Sequence, residues 1–571
     1  MAGRPPSGIS PRSANGFRLA LPNTAARVRQ TFGWYILHSV TRRDRLLVLV
    51  GILGIAAFAR LWQITTMPGG LFPDQAANGE DALAILQGDI RPFYERGNGR
   101  EGLFFYLQAA TLALFGIQVW PMFLGSAIVG IFTVFMTYAA GGRLFGHRVG
   151  LFAALFLATN PWHVTLSRTG FRAILVPLFI ALALFFGAGI VRTQTTRRRI
   201  LEALGAGISF GLGWYTYIAY RVFPAVLLIL GIMFFIEDAI QRPRFAGLRR
   251  YGGGVLIAVV TAMVVTAPLG WYFLEHPGSF AGRVSHVSVL NPDLQRGDVT
   301  STVVTVFRDS VLAFFTAGDL NPRHNVSGFP FLSPIPAMFL IVGLAVSLVR
   351  TLQYFHRLLR GRPPGRTLPF FPILLLAIMM LAPAVATAEG IPHGLRSIGE
   401  IPAVFWLAGI GAAWILHHVE RFPSLGARSL ARGVIGVLVL LTIGLELFLY
   451  FGAAAASPKF WYEYRSDLTT VSKYLAERSR SDLPDAYLTL DAFSEQTVHF
   501  LTTEAGYPYH LIRPEESHVV TLRPDEVIVF TQSTLPDAER YQETHPEVGE
   551  ADRRVNQFGE TTMVVYALER L

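Results

Sequence analysis

The stretch Phe72-Pro73-Asp74-Gln75-Ala76-Ala77-Asn78-Gly79-Glu80-Asp81 places three carboxylates within eight residues, directly after the first long apolar run. Such crowding is unusual here: the first 457 residues hold 19 of the 39 Asp and Glu, and six of those lie between Asp74 and Glu101. A carboxylate in a cleft can take a proton from an acceptor hydroxyl or orient it, and it can equally support the first turn of a helix. Glu80 and Asp81 fit that last role, before a helix expected over Ala82–Gln87, which leaves Asp74 as the chemical candidate. An ordinary Asp is a poor base near neutral pH, so orienting a hydroxyl is its main expected task.

Arginines stand in matching polar stretches. Arg96 and Arg100 follow in the same segment, and Arg168 and Arg172 lie in the run Trp162–Arg172. Arg221 ends Tyr215–Tyr220, Arg283 and Arg323 follow, and Arg396 closes Pro392-His393-Gly394-Leu395. A planar guanidinium makes paired, charge-assisted hydrogen bonds to phosphate. Arginines gathered with one carboxylate could hold a phosphate leaving group while the acid positions the acceptor. Trp162, Trp214, Tyr215, Tyr217 and Tyr220 beside them suit interfacial anchoring, or stacking on sugar or lipid.

The elements that must position these groups follow from composition. Hydrophobic residues make up 52% of the 571 and charged residues 15%, with a mean hydropathy of +0.41. Soluble domains carry about 25% charged residues, so a polytopic membrane protein is expected. With no cysteine, disulfides, thiol catalysis and thiolate metal sites are excluded. The net charge of +10 fits basic loops that set membrane orientation better than nucleic-acid binding, and no nucleic-acid partner is expected.

Eleven segments have the length and apolarity of spanning helices: 46–63, 119–141, 149–166, 173–191, 200–217, 222–238, 252–272, 334–350, 368–388, 400–417 and 433–453. With the N-terminus in the cytoplasm, every inner loop carries two or more arginines, among them Arg197–Arg199 and Arg357, Arg360, Arg362 and Arg366. Asp74 and Arg96, Arg100, Arg168, Arg172, Arg221, Arg283, Arg323 and Arg396 then fall outside. The segment 103–116 is short for a span and is expected to lie on the outer face or half inserted. Residues 1–45 form a disordered cytoplasmic tail with an interfacial segment near 24–42, residues 46–456 the membrane domain, and residues 457–571 a small extracytoplasmic α/β domain. In the last of these, 486–490 and 526–530 are expected strands, and 494–505 and 537–545 expected helices.

These residues resemble the C-type (GT-C) membrane glycosyltransferases, closest to glycosyltransferase family 39, the protein O-mannosyltransferase and aminoarabinose transferase group. The resemblance spans roughly 46–450 and rests on Met67-Pro68-Gly69-Gly70-Leu71-Phe72-Pro73-Asp74 after the first span, Asn98-Gly99-Arg100-Glu101-Gly102-Leu103, and the pair Ser167-Arg168. It implies a mainly α bundle of about eleven spans with a long first outer loop. It also implies a polyprenyl-phosphate sugar donor, a lipid, glycan or protein acceptor, inversion at the anomeric carbon, and a multi-pass protein of the plasma membrane. Asp74 would be catalytic, Arg100, Arg168 and Arg396 would contact the donor phosphate, and Arg172, Arg221, Glu80, Asp81, His393 and Tyr220 would support the site. The chain departs from the family in carrying Asp74-Gln75 for the usual Asp-Glu, arginine for the usual lysine at position 100, and no Asp shortly after Ser167-Arg168.

Some C-type transferases use a divalent ion. His276, His286, His324 and His393 are widely spaced and form no paired motif, so no metal or other cofactor is expected. A lipid-linked sugar flippase or transporter is the alternative reading; it would place its charges near the bilayer midplane, where Glu446 is the clearest. A receptor using the C-terminal domain for ligand would need fewer spans and fewer outer arginines.

Overall fold

The computed structural model describes residues 41–240, 243–280, 288–294, 298–362, 369–481 and 483–568. The N-terminal tail, most of the interfacial segment, Arg283, His286 and Arg366 lie outside the described residues.

Each of the eleven apolar segments carries a helix. Seven helices are long and apolar enough to cross a membrane: Val119–Leu144, Arg172–Arg192, Ile218–Ile240, Ala246–Glu275, Pro334–Leu359, Ser397–Val419 and Leu425–Ala454. His147–Thr159 and Pro161–Ser167 form an eighth, broken span bent by 64°. The other three, Arg42–Leu61, Thr196–Gly213 and Phe370–Val385, are charged at one end or short. Exposed Leu and Val, with Met263, Trp271 and Phe448, cover the outward faces of the Ala246–Glu275 and Leu425–Phe448 helices, as lipid-facing surface requires. The inner Ile401–Val419 helix is buried from Ile401 through Ala413.

The break in the segment expected at 149–166 has a local cause. Pro161 cannot donate a backbone hydrogen bond, and Asn160 caps the new helix by accepting from His163 N at 3.1 Å. The bend turns Trp162, His163, Ser167 and Arg168 into the protein interior. Trp162 is therefore no interfacial anchor: it is fully buried, stacks on Phe331 at 4.5 Å, and donates Nε1–H to Gly394 O.

At one end of the bundle, arginines at the ends of helices pair with acids there. Arg143 holds both oxygens of Glu202 at 2.7 and 3.1 Å, and Arg148 contacts Glu420 at 2.8 Å. The other end carries the first long loop, the 313–333 and 386–397 segments, and the C-terminal unit.

That unit contains a five-stranded sheet in the order β4-β3-β5-β7-β6, made of β3 (Ala486–Thr489), β4 (Tyr509–Ile512), β5 (Val527–Thr531), β6 (Val548–Val555) and β7 (Thr561–Leu568). β3 runs parallel to β4 and β5, and β7 is antiparallel to β5 and β6. β5 is apolar and buried on both faces because helices cover both sides. Val527 and Val529 meet Leu468, Val471 and Leu475, whereas Ile528 and Phe530 meet Ala538 and Tyr541.

Candidate active site

The acidic stretch forms a helix that starts earlier than its composition suggests. It runs Pro73–Leu86, with Pro73 at the first position, where a missing N–H costs nothing. Gln75 fastens its start, accepting from Phe72 N at 2.9 Å and donating from Nε2 to Thr169 O at 2.5 Å. Asp74 occupies the first turn and is exposed. Glu80 and Asp81 lie inside the helix, which corrects the expectation that they begin one at Ala82. Asp81 is buried and ion-paired to Arg100 at 2.9 Å and to Arg96 at 3.4 Å, and Glu80 contacts His499 Nδ1 at 3.0 Å. Burial pushes the Asp81 carboxyl above its ordinary range, against the pull of Arg100 and Arg96.

The C-terminal unit packs directly on this helix. Phe500 lies against Gly79 so closely that a Cβ there would meet its ring at 2.5 Å. Thr497 donates to Leu71 O at 2.9 Å, and Phe493 meets Phe72 edge-on at 5.7 Å. Burying one such ring contributes on the order of 1.5–3 kcal/mol, enough to fix the unit to the loop.

The basic side is built by two short strands, β1 (Phe93–Tyr94) and β2 (Arg100–Glu101), which pair antiparallel and turn Arg100 back over the helix. Arg100 is buried; its Nη1 donates to Asn78 Oδ1 at 2.5 Å, and its Nε has no hydrogen-bond partner. Burial lowers its pKa to about 10, with Asp81 first and Asp74 last among the charges acting on it. The next residue, Glu101, is not among the expected site residues although it stands in one of the quoted motifs. Its buried carboxylate bridges Arg172 at 3.2 Å and Arg221 at 3.3 Å, two arginines from separate loops.

Arg323, which no motif singles out, also reaches this place. Its guanidinium sits over the Phe72 ring at 3.4 Å, its buried Nε has no hydrogen-bond partner, and Asp74 is among its charged neighbours. Burial pushes its pKa down, opposed by Glu463 and then Asp74. Arg323 stands among the arginines of the polar stretches, but only the fold brings the 313–333 segment to Phe72.

Three expected members are differently employed. Arg168 is fully buried, and its Nε, Nη1 and Nη2 donate to Tyr450 Oη, Arg60 O and Met67 O at 3.1, 2.9 and 3.0 Å. It ties the end of the first span to the π-helical turn Leu449–Ala454, with each of its three nitrogens engaged inside the protein. Arg396 spends Nη1 and Nη2 on Glu389, at 2.8 Å to its carbonyl and 2.6 Å to its exposed carboxylate. Tyr220 is fully buried beside Phe210 and Phe223, and its hydroxyl has no partner.

The widely spaced histidines do converge. Asp319, His324 and His393 each offer a ligand atom within 4.8 Å of the others, a grouping that sequence spacing conceals. His276 instead stacks on Tyr272 at 4.4 Å.

With this geometry established, comparison with known proteins defines the class. Residues 102–271 match the family model described as dolichyl-phosphate-mannose-protein mannosyltransferase. ArnT from Cupriavidus metallidurans bound to undecaprenyl phosphate superposes with a TM-score of 0.57 at 13% identity, covering 91% of this chain and 97% of that one. Its apo state gives 0.52 at 14% identity over the same shares, 91% and 97%. The oligosaccharyltransferase of Archaeoglobus fulgidus tethered with an acceptor peptide gives 0.49 at 13% identity, over 93% of this chain and 74% of that one. No curated protein sequence matches the chain. The chain is thus a multi-pass membrane protein with the C-type glycosyltransferase fold. Within that class it is similar to glycosyltransferase family 39, the group its motifs resemble.

Proposed function

We propose that this protein transfers a sugar from a polyprenyl-phosphate donor to an acceptor at the extracytoplasmic membrane face, with inversion at the anomeric carbon. Asp74 orients the acceptor hydroxyl and takes its proton as the glycosidic bond to phosphate breaks. Arg100 and Arg323 hold the departing phosphate. One observation carries the reading: exposed Asp74 lies in the first turn of the helix that Arg100 holds through Asn78 and Asp81, two residues from the Phe72 ring under Arg323, and each arginine has an Nε donor that no protein group engages. The family model over 102–271 and the fold shared with an undecaprenyl-phosphate-bound transferase support the choice of donor. Arg172 and Arg221, joined through Glu101, brace the same side, and Arg396 is a further donor contact that a phosphate would have to win from Glu389.

Transport is supported less. Its hallmark would be uncommitted charge at mid-membrane, yet Glu446 is fully buried between Ser333 Oγ at 2.6 Å and Thr159 Oγ1 at 2.5 Å. Arg60 is likewise spent on Ala56, Ala158 and Leu157 carbonyls and His163 Nδ1.

The test is release of polyprenyl phosphate from labelled donors by reconstituted Asp74→Asn and Asp74→Ala proteins. Transfer should be lost in both, with folding kept because Asp74 is exposed. Full transfer by well-folded Asp74→Ala would overturn the mechanism. A cysteine introduced at position 98 should react only from the extracytoplasmic side, and labelling from the cytoplasm would overturn the orientation.

A further inference from the structure

Asp319 and His324 come from the segment before the Pro334–Leu359 helix, and His393 from the segment before Ile401–Val419. The fold brings them to one point. Asp319 Oδ2 lies 2.8 Å from His324 Nδ1 and 3.9 Å from His393 Nδ1. Metal–ligand bonds of about 2.0–2.1 Å in a tetrahedron separate ligand atoms by roughly 3.3 Å, which these two distances bracket. Both imidazoles place Nδ1 within 4 Å of the same carboxylate oxygen, and their rings lie 4.6 Å apart. All three side chains are largely shielded, at 8%, 11% and 16% exposure for Asp319, His324 and His393.

The carboxylate is also held in place by the backbone. Asp319 Oδ1 accepts from Asn321 N at 2.8 Å, and Oδ2 accepts from Gly394 N at 2.8 Å. Outer hydrogen bonds of this kind preset the direction of a metal-ligating oxygen. An Asx turn with one histidine–carboxylate hydrogen bond would account for Asp319 and His324. His393, from a separate segment, brings a second imidazole to the same oxygen.

We propose that Asp319, His324 and His393 bind one divalent transition-metal ion of the zinc class, with water completing a tetrahedron. Two imidazoles and one carboxylate form a donor set suited to such an ion, whereas magnesium or calcium would need more oxygen ligands. Its consequence is mechanical. The ion joins the 313–333 segment, and with it Arg323, to the 386–397 segment, where Gly394 is already held by Asp319 and Trp162.

The experiment uses the full chain in detergent, purified without chelator, then stripped with EDTA and titrated with zinc or cobalt. One ion should bind per chain, the unfolding temperature should rise on loading, and cobalt should show the visible absorption of a tetrahedral centre. His324→Gln and His393→Gln should each weaken binding by more than about tenfold. His276→Gln, outside the cluster, should bind as wild type does. If either ligand variant fails to fold, cobalt binding to the wild type still decides the matter. Stripped, folded wild type that takes up neither ion at one per chain would overturn the site, as would undiminished binding by folded His393→Gln. None of these readouts depends on transfer activity, so the site stands or falls separately from the proposed reaction.

Discussion

Gln75 spans two backbone groups at once: its Nε2 donates to Thr169 O at 2.5 Å while its Oε1 accepts from Phe72 N at 2.9 Å. An amide can do both where an ionised carboxylate cannot, which explains why this chain carries Asp74-Gln75 where family 39 usually has Asp-Glu. Gln75→Glu would turn a buried acceptor toward the Thr169 carbonyl. It should destabilise the protein by about 1–3 kcal/mol, the cost of an unmatched buried polar group. Thermal unfolding in detergent reads this directly, and donor cleavage should fall as the start of the Asp74 helix loosens.

The contact between Gly79 and Phe500 gives a second prediction. Any Cβ at position 79 runs into the ring at 2.5 Å, so Gly79→Ala should push the C-terminal unit off the Asp74 helix at a cost of about 1–3 kcal/mol. Faster proteolysis within residues 457–571 would report the undocking. Phe500→Leu added to Gly79→Ala should recover part of the loss because it makes room. No recovery would mean that the contact is incidental.

What the sequence reveals and what it hides divide along one line. Spans, basic loops and the apolar run of β5 are local patterns, legible from the order of residues alone. Asp81 and Arg100 stand close in sequence and also pair in space, at 2.9 Å. Arg168 stands beside Ser167 in a recognisable pair, yet its partners Arg60, Met67 and Tyr450 lie far away in the chain, and they alone show how its nitrogens are engaged. The reverse holds for Arg323 and for the Asp319, His324 and His393 cluster, whose significance depends on packing between distant loops. Glu80 and Asp81 mislead because a run of small residues hides an earlier helix start at Pro73.

Glu101 supplies a third prediction. Its carboxylate is 3% exposed and contacts Arg172 and Arg221, so Glu101→Gln leaves two shielded guanidiniums without their shared counter-ion. Breaking a buried pair from one side costs about 3–5 kcal/mol, and partial exposure of Arg221 places this case at the lower end. A double-mutant cycle checks it: Arg172→Gln should cost much less in the Glu101→Gln background than alone, and additive losses would mean no coupling.

The last prediction separates the arginines by what their donors do. Arg323→Gln removes a guanidinium stacked on Phe72 whose Nε engages no protein group, so stability should fall by only about 0.5–1 kcal/mol. The loss should appear in catalysis instead. A charge-assisted hydrogen bond to phosphate is worth about 1.5–3 kcal/mol, so kcat/KM for the lipid donor should drop roughly 10- to 100-fold. Arg168→Gln should show the opposite balance, with a large drop in unfolding temperature because three backbone and tyrosine acceptors lose their donors. Donor kinetics and thermal unfolding measured on the same two purified variants decide between the roles. Equal effects of both substitutions on both readouts would refute the division between phosphate-binding and structural arginines.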